Sequence, residues 1–359
     1  MSWDEARAEF PVFERFAYLN AGTNGPLARA TAEAMIDQER QDLELGRGGG
    51  LYFERALELR DEVRAKLAAA VGVPPELMSL ATSTTNGCNI VLEGLGLGPE
   101  DEVVTTDGEH FGLLGALAAS SAQVRVAAVR ELPPEDSLEV LLREVTPRTR
   151  LFALSHVCWM SGNRLPAERL KKATDLPVLV DGAQSAGALE VDATAFDFYA
   201  FSCQKWLCGP DATGGLVVRD PEALPVAAPS YLSQQSYEPT GAFTPREGAA
   251  RFDSNWTPVP TLAGLSAALE LKPEGRFERA LGMAGRCREL LAGRGEVVTA
   301  PGQTTLVTFK VEGDPAELVT KLYEAGVVVR NVPGEPWIRV SCGWWTSDED
   351  LERLVSALP

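Results

Sequence analysis

Along the first two thirds of the chain, apolar positions alternate between two periods. Over residues 54–70, Leu59, Val63 and Leu67 recur every four residues among charges, the stripe of an amphipathic helix. After a break at Val73-Pro74-Pro75, residues 77–81 form a short apolar run that predicts a buried strand, and a polar turn over 82–87 leads into a helix over 88–95. The alternation continues as strand 102–106, helix 113–122, strand 124–129, helix 137–144, strand 150–155, helix 166–173 and strand 177–180, with one more strand over 196–201. Buried strands interleaved with helices predict an α/β fold: a mostly parallel sheet with helices on both faces, binding its ligands at the carboxyl ends of the strands.

A proline- and glycine-rich stretch over 221–260 breaks the rhythm. Beyond it the pattern predicts a helix over 262–271, strands over 305–311, 327–330 and 337–341, and helices over 315–324 and 347–358, together a smaller α+β C-terminal domain. The expected division is a large domain over 18–255 and a small one built from 1–17 and 256–359. No solenoid-length repeat is present.

Composition narrows the function classes. With 359 residues, 45% hydrophobic and 23% charged, the chain has the material for a large core in two domains. A net charge of −18 and the lack of any basic run argue against a nucleic-acid partner, because phosphate backbones are bound by basic faces. The first seven residues lack the basic start and apolar centre of a secretory signal, and the stretch 112–122 falls short of the roughly 18 to 20 apolar residues of a membrane helix. A cytoplasmic chain with no membrane partner is expected. The six cysteines, at 88, 158, 203, 208, 287 and 342, form no CxxC pair, and there are only two histidines, so neither a metal site nor a disulfide framework is predicted.

Five features carry candidate chemistry. Asp181 ends the apolar run Val178-Leu179-Val180 and is followed by Gly182-Ala183-Gln184; a carboxylate there calls for a cationic partner, such as a protonated pyridine nitrogen, or serves as the cap of the next turn. Lys205, in Ser202-Cys203-Gln204-Lys205-Trp206-Leu207, is the one lysine among apolar and aromatic neighbours, a setting that favours the free amine a Schiff base needs; its stem also has Trp206 to pack on. Ser83-Thr84-Thr85-Asn86-Gly87 places hydroxyls at a helix start, which suits a phosphate or an ordinary N-cap. His110 follows a strand end, where its ring can cover a flat ligand or serve a structural role. Arg339, on the apolar run Trp337-Ile338-Arg339-Val340-Ser341, is placed to clamp a carboxylate or to pair with an acid of the chain. The glycines of Gly94-Leu95-Gly96-Leu97-Gly98 follow a helix and precede a strand, the reverse of a dinucleotide fingerprint, and read as a turn.

Taken in order, these residues resemble the class V aminotransferases, the fold-type-I pyridoxal 5'-phosphate (PLP) enzymes that include cysteine desulfurases, isopenicillin N epimerase and kynureninase. The resemblance runs from Tyr18-Leu19-Asn20-Ala21-Gly22 to Arg339-Val340-Ser341 and is most specific at Asp181 to Gln184 and Ser202 to Pro210. It implies PLP held as a Schiff base on Lys205, which also shuttles protons, with Asp181 on the pyridine nitrogen, Gln184 on the ring hydroxyl and His110 stacked on the ring. It further implies phosphate contacts from Thr84, Thr85, Asn86, Ser202 and Gln204, and substrate contacts from Arg339 with Asn20, Ala21 and Gly22. Family members commonly form homodimers in which a residue near 253–257 reaches the partner's cofactor, which points to Thr257.

The form Gln204-Lys205-Trp206-Leu207 looks more like the epimerase and C–S lyase branches, since many relatives carry His before the lysine. Trp159 stands where desulfurases tend to have Asn, and the loop 328–336 lacks the cysteine that desulfurases use to accept sulfur. The expected activity is a Cα-carbanion reaction on a small amino acid, with aminotransfer named first. The alternatives are a C–S lyase, a desulfurase-like enzyme or an epimerase, and then a PLP-binding protein without catalysis.

Overall fold

The computed structural model describes residues 2–359. Its centre is a seven-stranded sheet, ordered Met78–Ala81, Gly214–Val218, Phe198–Ser202, Val178–Asp181, Thr149–Ser155, Glu102–Thr106, Gln123–Ala127. Five neighbours in that order, from Phe198–Ser202 to Gln123–Ala127, run parallel; Gly214–Val218 is antiparallel to both of its neighbours. The expected α/β architecture is therefore present, with one antiparallel strand that the apolar pattern did not single out.

The strands read as apolar runs because both faces are covered. Val104, Phe152, Leu154, Val178, Val180, Tyr199 and Phe201 belong to one core cluster, and Val103, Leu151, Ala153, Leu179, Phe198 and Ala200 to the other. Successive residues thus enter opposite layers, as a period of two requires, and each fully buried side chain contributes roughly 1.5–3 kcal/mol. A third cluster lies in the tail, under the sheet ordered Leu306–Lys310, Trp337–Ser341, Arg330–Val332. Ala17–Tyr18 pairs in parallel with Val327–Val328, so the start of the chain is tied to the C-terminal part.

Several boundaries differ from the sequence pattern. The helix expected from residue 88 starts at Thr84, since Ser83 Oγ accepts from Asn86 N at 3.1 Å and turns the polar segment into a first helical turn. The strand expected over 327–330 is two short strands in different sheets, Val327–Val328 and Arg330–Val332. The stretch 221–260 holds a hairpin of Gln234–Tyr237 with Phe243–Pro245, and the helix expected over 262–271 begins at Val259. Helices Arg29–Leu45 and Arg276–Ala292 were not anticipated: the first buries only Thr31 and Gln38, and the second buries small residues, Ala280, Ala284 and Cys287, with Leu291.

Candidate active site

The site forms where parallel strands end. Val178–Asp181 stops at Asp181, a buried carboxylate whose Oδ1 accepts from Ala183 N at 2.9 Å. Burial raises its pKa, and the nearby Lys205 ammonium works against that rise. The adjacent strand Phe198–Ser202 leads into the turn that carries Lys205. That turn is closed by Cys203 N to Thr213 O (2.9 Å), Gly209 N to Cys203 O (2.9 Å) and Cys208 N to Lys205 O (3.1 Å). Cys208 sits at φ 53°, a left-handed conformation uncommon for a non-glycine residue, so the turn is held by its surroundings. Lys205 is half-buried and lines the pocket. Burial brings its amine down to about 8; Asp181 opposes the fall, while Arg339 and Arg330 add to it.

The Lys205 turn is joined to the start of helix Thr84–Leu95. Ser202 Oγ accepts from Thr84 N at 2.9 Å and meets Thr84 Oγ1 at 2.8 Å. Hydroxyls and a helix N-terminus converge here beside Gln204, and the helix dipole favours an anion.

Across the pocket, His110 caps helix Phe111–Ala119, its Nδ1 accepting from Gly112 N at 3.0 Å. That bond leaves the proton of the neutral ring on Nε2. Partial burial, then the Lys205 ammonium, hold the imidazole below its ordinary pKa although one edge stays open. The His110 and Trp159 rings meet edge to face at 5.4 Å.

Two guanidinium groups form the remaining wall. Arg330 and Arg339 are direct cross-strand partners in the antiparallel pair Arg330–Val332 and Trp337–Ser341. Like charges in that register repel. Arg339, 1% exposed, donates to Trp159 O (2.9 Å) and Thr23 Oγ1 (3.3 Å), and its Nε is buried without a partner. Arg330 donates to the same Thr23 Oγ1 (3.3 Å) and lies 5.5 Å from the Trp159 ring centre. Burial, then Arg330, bring Arg339 down to about 9. Among the described residues, both arginines find only neutral oxygens, which leaves a strong demand for an anion. A Cβ on Gly22 would lie 2.9 Å from both Arg339 Nη2 and Gln184 Oε1, so a side chain there would displace the ends of both groups.

Ten of the residues singled out from the sequence line one cavity of about 270 Å³: Gly22, Thr84, Thr85, His110, Asp181, Gln184, Ser202, Gln204, Lys205 and Arg339. Four do not. The Asn20 amide oxygen is taken by Thr23 Oγ1 at 2.8 Å, and Ala21 is in the core. Asn86 Oδ1 accepts from Thr82 N (3.1 Å) and bonds Ser254 Oγ, and Thr257 is not part of this cavity's lining. Gln184 is used internally as well, donating to Gly22 O (2.8 Å) and accepting from Trp206 Nε1 (3.0 Å). The cavity also includes Thr23, Ser155 and Arg330, to which the sequence reading gave no role, and Trp159, which it set where desulfurases tend to have Asn. Arg330 carried a signal in its spacing, nine residues before Arg339 across a turn containing Pro333-Gly334, but one continuous strand over 327–330 concealed that hairpin.

All six cysteines are free and buried, and none lines the cavity. Burial pushes the Cys203 thiol up to about 12 and raises that of Cys208 as well. Among the described residues no helix is long and apolar enough to cross a membrane.

The family model described as Aminotransferase class-V matches residues 19–353. Isopenicillin N epimerase of Streptomyces clavuligerus is 29% identical over 99% of this chain and 97% of its own. A probable cysteine desulfurase of Pseudomonas aeruginosa is 29% identical over 98% and 96%. The cystine C–S lyase C-DES is similar in structure in two solved states. A lysine-to-alanine variant with glycine covalently linked to the PLP cofactor has TM-score 0.90, at 29% identity over 98% of each chain. The complex with its product, cysteine persulfide, has TM-score 0.89, at 29% identity over 97% of this chain and 98% of that one. A seven-stranded α/β sheet with a lysine and a buried aspartate in a cavity at its strand ends, two arginines from the C-terminal sheet lining the same cavity, and a family match over nearly the full length lead to one conclusion: the chain belongs to the class-V aminotransferase family.

Proposed function

We propose that this protein is a PLP-dependent enzyme that cleaves the C–S bond of a small sulfur-containing amino acid bearing two carboxylates. The residues present fit the cofactor. Asp181 lacks a bonded cation and suits a protonated ring nitrogen, and Lys205 has the lowered amine that condensation with an aldehyde requires. The helix start at Thr84–Thr85, with Ser202 and Gln204, would hold the phosphate, Gln184 the ring hydroxyl, and His110 would cover the ring face. When bound, PLP supplies an electron sink that stabilises negative charge at the substrate Cα.

The chain's own groups then divide the work. Arg339 binds the α-carboxylate and, with Arg330, keeps the substrate in one orientation. The amine of Lys205 takes the Cα proton; the Cβ–S bond breaks with its electron pair leaving on sulfur, and a keto acid and ammonia follow by hydrolysis. Asp181 holds the charge that favours electron withdrawal. With no thiol in the cavity to accept sulfur, the sulfur departs on the leaving fragment, as a thiol or a persulfide.

The observation that carries this reading is Arg330 directly opposite Arg339 with no acid among the described residues bonded to either. A second carboxylate on the substrate answers that repulsion, and the likeness to a cystine C–S lyase supports the same chemistry. Aminotransfer, the activity first expected, needs only the shared parts and has no separate support among these relatives; epimerisation has the likeness to isopenicillin N epimerase. Assaying the PLP-loaded protein with cystine, cysteine and non-sulfur amino acids decides among them. Keto acid with persulfide from cystine is the expected result. Altered chirality without keto acid, or keto acid only when an acceptor is present, overturns it.

The same reading includes a homodimer and a domain division near residue 255. Leu43, Leu45, Leu51 and Phe53 are exposed, and Phe53 and Tyr52 meet Trp256 at 5.8 and 6.4 Å, an apolar surface suited to a second copy beside Thr257. Sedimentation analysis showing only monomer rejects the dimer.

A further inference from the structure

Glu109 immediately precedes His110 and is 5% exposed. Its Oε2 accepts from both Ser155 N (2.9 Å) and Ser155 Oγ (2.5 Å), and its Oε1 accepts from Thr106 Oγ1 (2.6 Å). Thr106 Oγ1 itself accepts from Gly108 N at 3.3 Å, leaving its own proton for Oε1. One carboxyl thus ties the ends of strands Glu102–Thr106 and Thr149–Ser155 to the residue that starts the His110 segment. The titratable groups facing it are Asp181 on the next strand, whose Cα pairs with Ser155, Cys158 beyond the same strand end, and Cys88 from helix Thr84–Leu95; His110 follows it in the chain. None of these supplies a permanent positive charge. A buried carboxyl bonded only to Thr106 and Ser155, with no cation bonded to it among the described residues, is costly, and core packing alone does not call for it.

The arrangement controls what the pocket meets. Both donors of Ser155 are committed to one oxygen of Glu109, so Ser155, which lines the cavity beside Asp181, presents only lone pairs to it. We infer that Glu109 is a positioning residue of this site: it keeps Ser155 an acceptor next to Asp181 and fixes the seat of the His110 ring. Burial also pushes this carboxyl up to about 7, against its three donors, so its charge changes near neutral pH. Taking up a proton reverses one of the three bonds and frees a hydroxyl proton of Ser155 or Thr106.

The inference rests on the PLP reading for one of its two tests. In cofactor-free protein, the two histidines give two imidazole signals for magnetic resonance. The His110 signal is expected to show an inflection near pH 7 from Glu109, absent in Glu109→Gln. In the PLP-loaded protein, Glu109→Gln and Ser155→Ala should each move the pH at which the visible band titrates by about half a unit or more, and the double variant should move it no further. Additive shifts, or no shift in either test, overturn the role of Glu109. If wild type never acquires a visible band, the PLP reading fails and the histidine titration alone decides about Glu109. Should Glu109→Gln not fold, Thr106→Val keeps the carboxyl but removes a donor; the His110 inflection must then move upward, and an unmoved inflection counts against the inference.

Discussion

The lowered pKa of Lys205 sets a pH at which this protein captures an aldehyde. With the amine at about 8 instead of 10.5, roughly one molecule in eleven carries the nucleophilic free base at pH 7, against about one in 3,000 for an ordinary lysine. The gain of about 300-fold corresponds to roughly 3 kcal/mol placed against the ammonium by burial. The perturbations follow from the charges nearby. Asp181 raises the Lys205 pKa, so Asp181→Asn lowers it further; Arg330 and Arg339 lower it, so Arg330→Met raises it. The assay is the rate at which cofactor-free protein acquires visible absorbance on mixing with PLP, followed from about pH 6 to about pH 11. Wild type should reach half its plateau rate near pH 8, Asp181→Asn at a lower pH and Arg330→Met at a higher one. A wild-type midpoint above about 10, or variants that move in the same direction, refutes the reasoning.

Four further outcomes are expected. Lys205→Ala abolishes the stable visible band of the bound cofactor, and a band that survives removes the covalent assignment. Asp181→Ala retains some PLP but loses turnover by a factor of about 100 or more, the size of effect when a positioned charge leaves an active site, and wild-type kcat contradicts the electron-sink role. Arg339→Ala raises KM for every substrate, whereas Arg330→Ala raises it chiefly for those with two carboxylates; equal effects on cystine and cysteine discredit the division of labour. Asp253→Asn loosens the fold by about 3–5 kcal/mol in urea titration, because the carboxylate is buried between Arg60 (3.0 Å) and Arg64 (2.7 Å) and its loss strands two buried guanidinium groups; a change under about 1 kcal/mol rejects this account.

Much of this molecule is encoded locally. The run Val178-Leu179-Val180-Asp181 declares a strand covered on both sides with a charge at its end, and Gln204-Lys205-Trp206 declares an amine in apolar company, because burial and period leave a direct mark on residue choice. The alternation of such runs with amphipathic helices was enough to read the parallel sheet and the strand ends at which the cavity lies. Helix Arg276–Ala292 stayed hidden because its buried stripe is made of small residues whose packing value depends on what they meet. Helix Thr84–Leu95 was begun late because a capping hydroxyl and a turn hydroxyl look alike in sequence.

What only the tertiary structure decided are relations between segments far apart in the chain. Sequence supplied Lys205, Asp181 and Arg339, each recognisable by its own neighbours. Folding set Arg330 opposite Arg339, placed Ser155 between Glu109 and Asp181, and withdrew Asn20 and Asn86 into bonds of their own. The physical reason is range: periodicity and capping act over a few residues, whereas a pocket is built from strand ends and loops whose register is settled by the packing of the whole core.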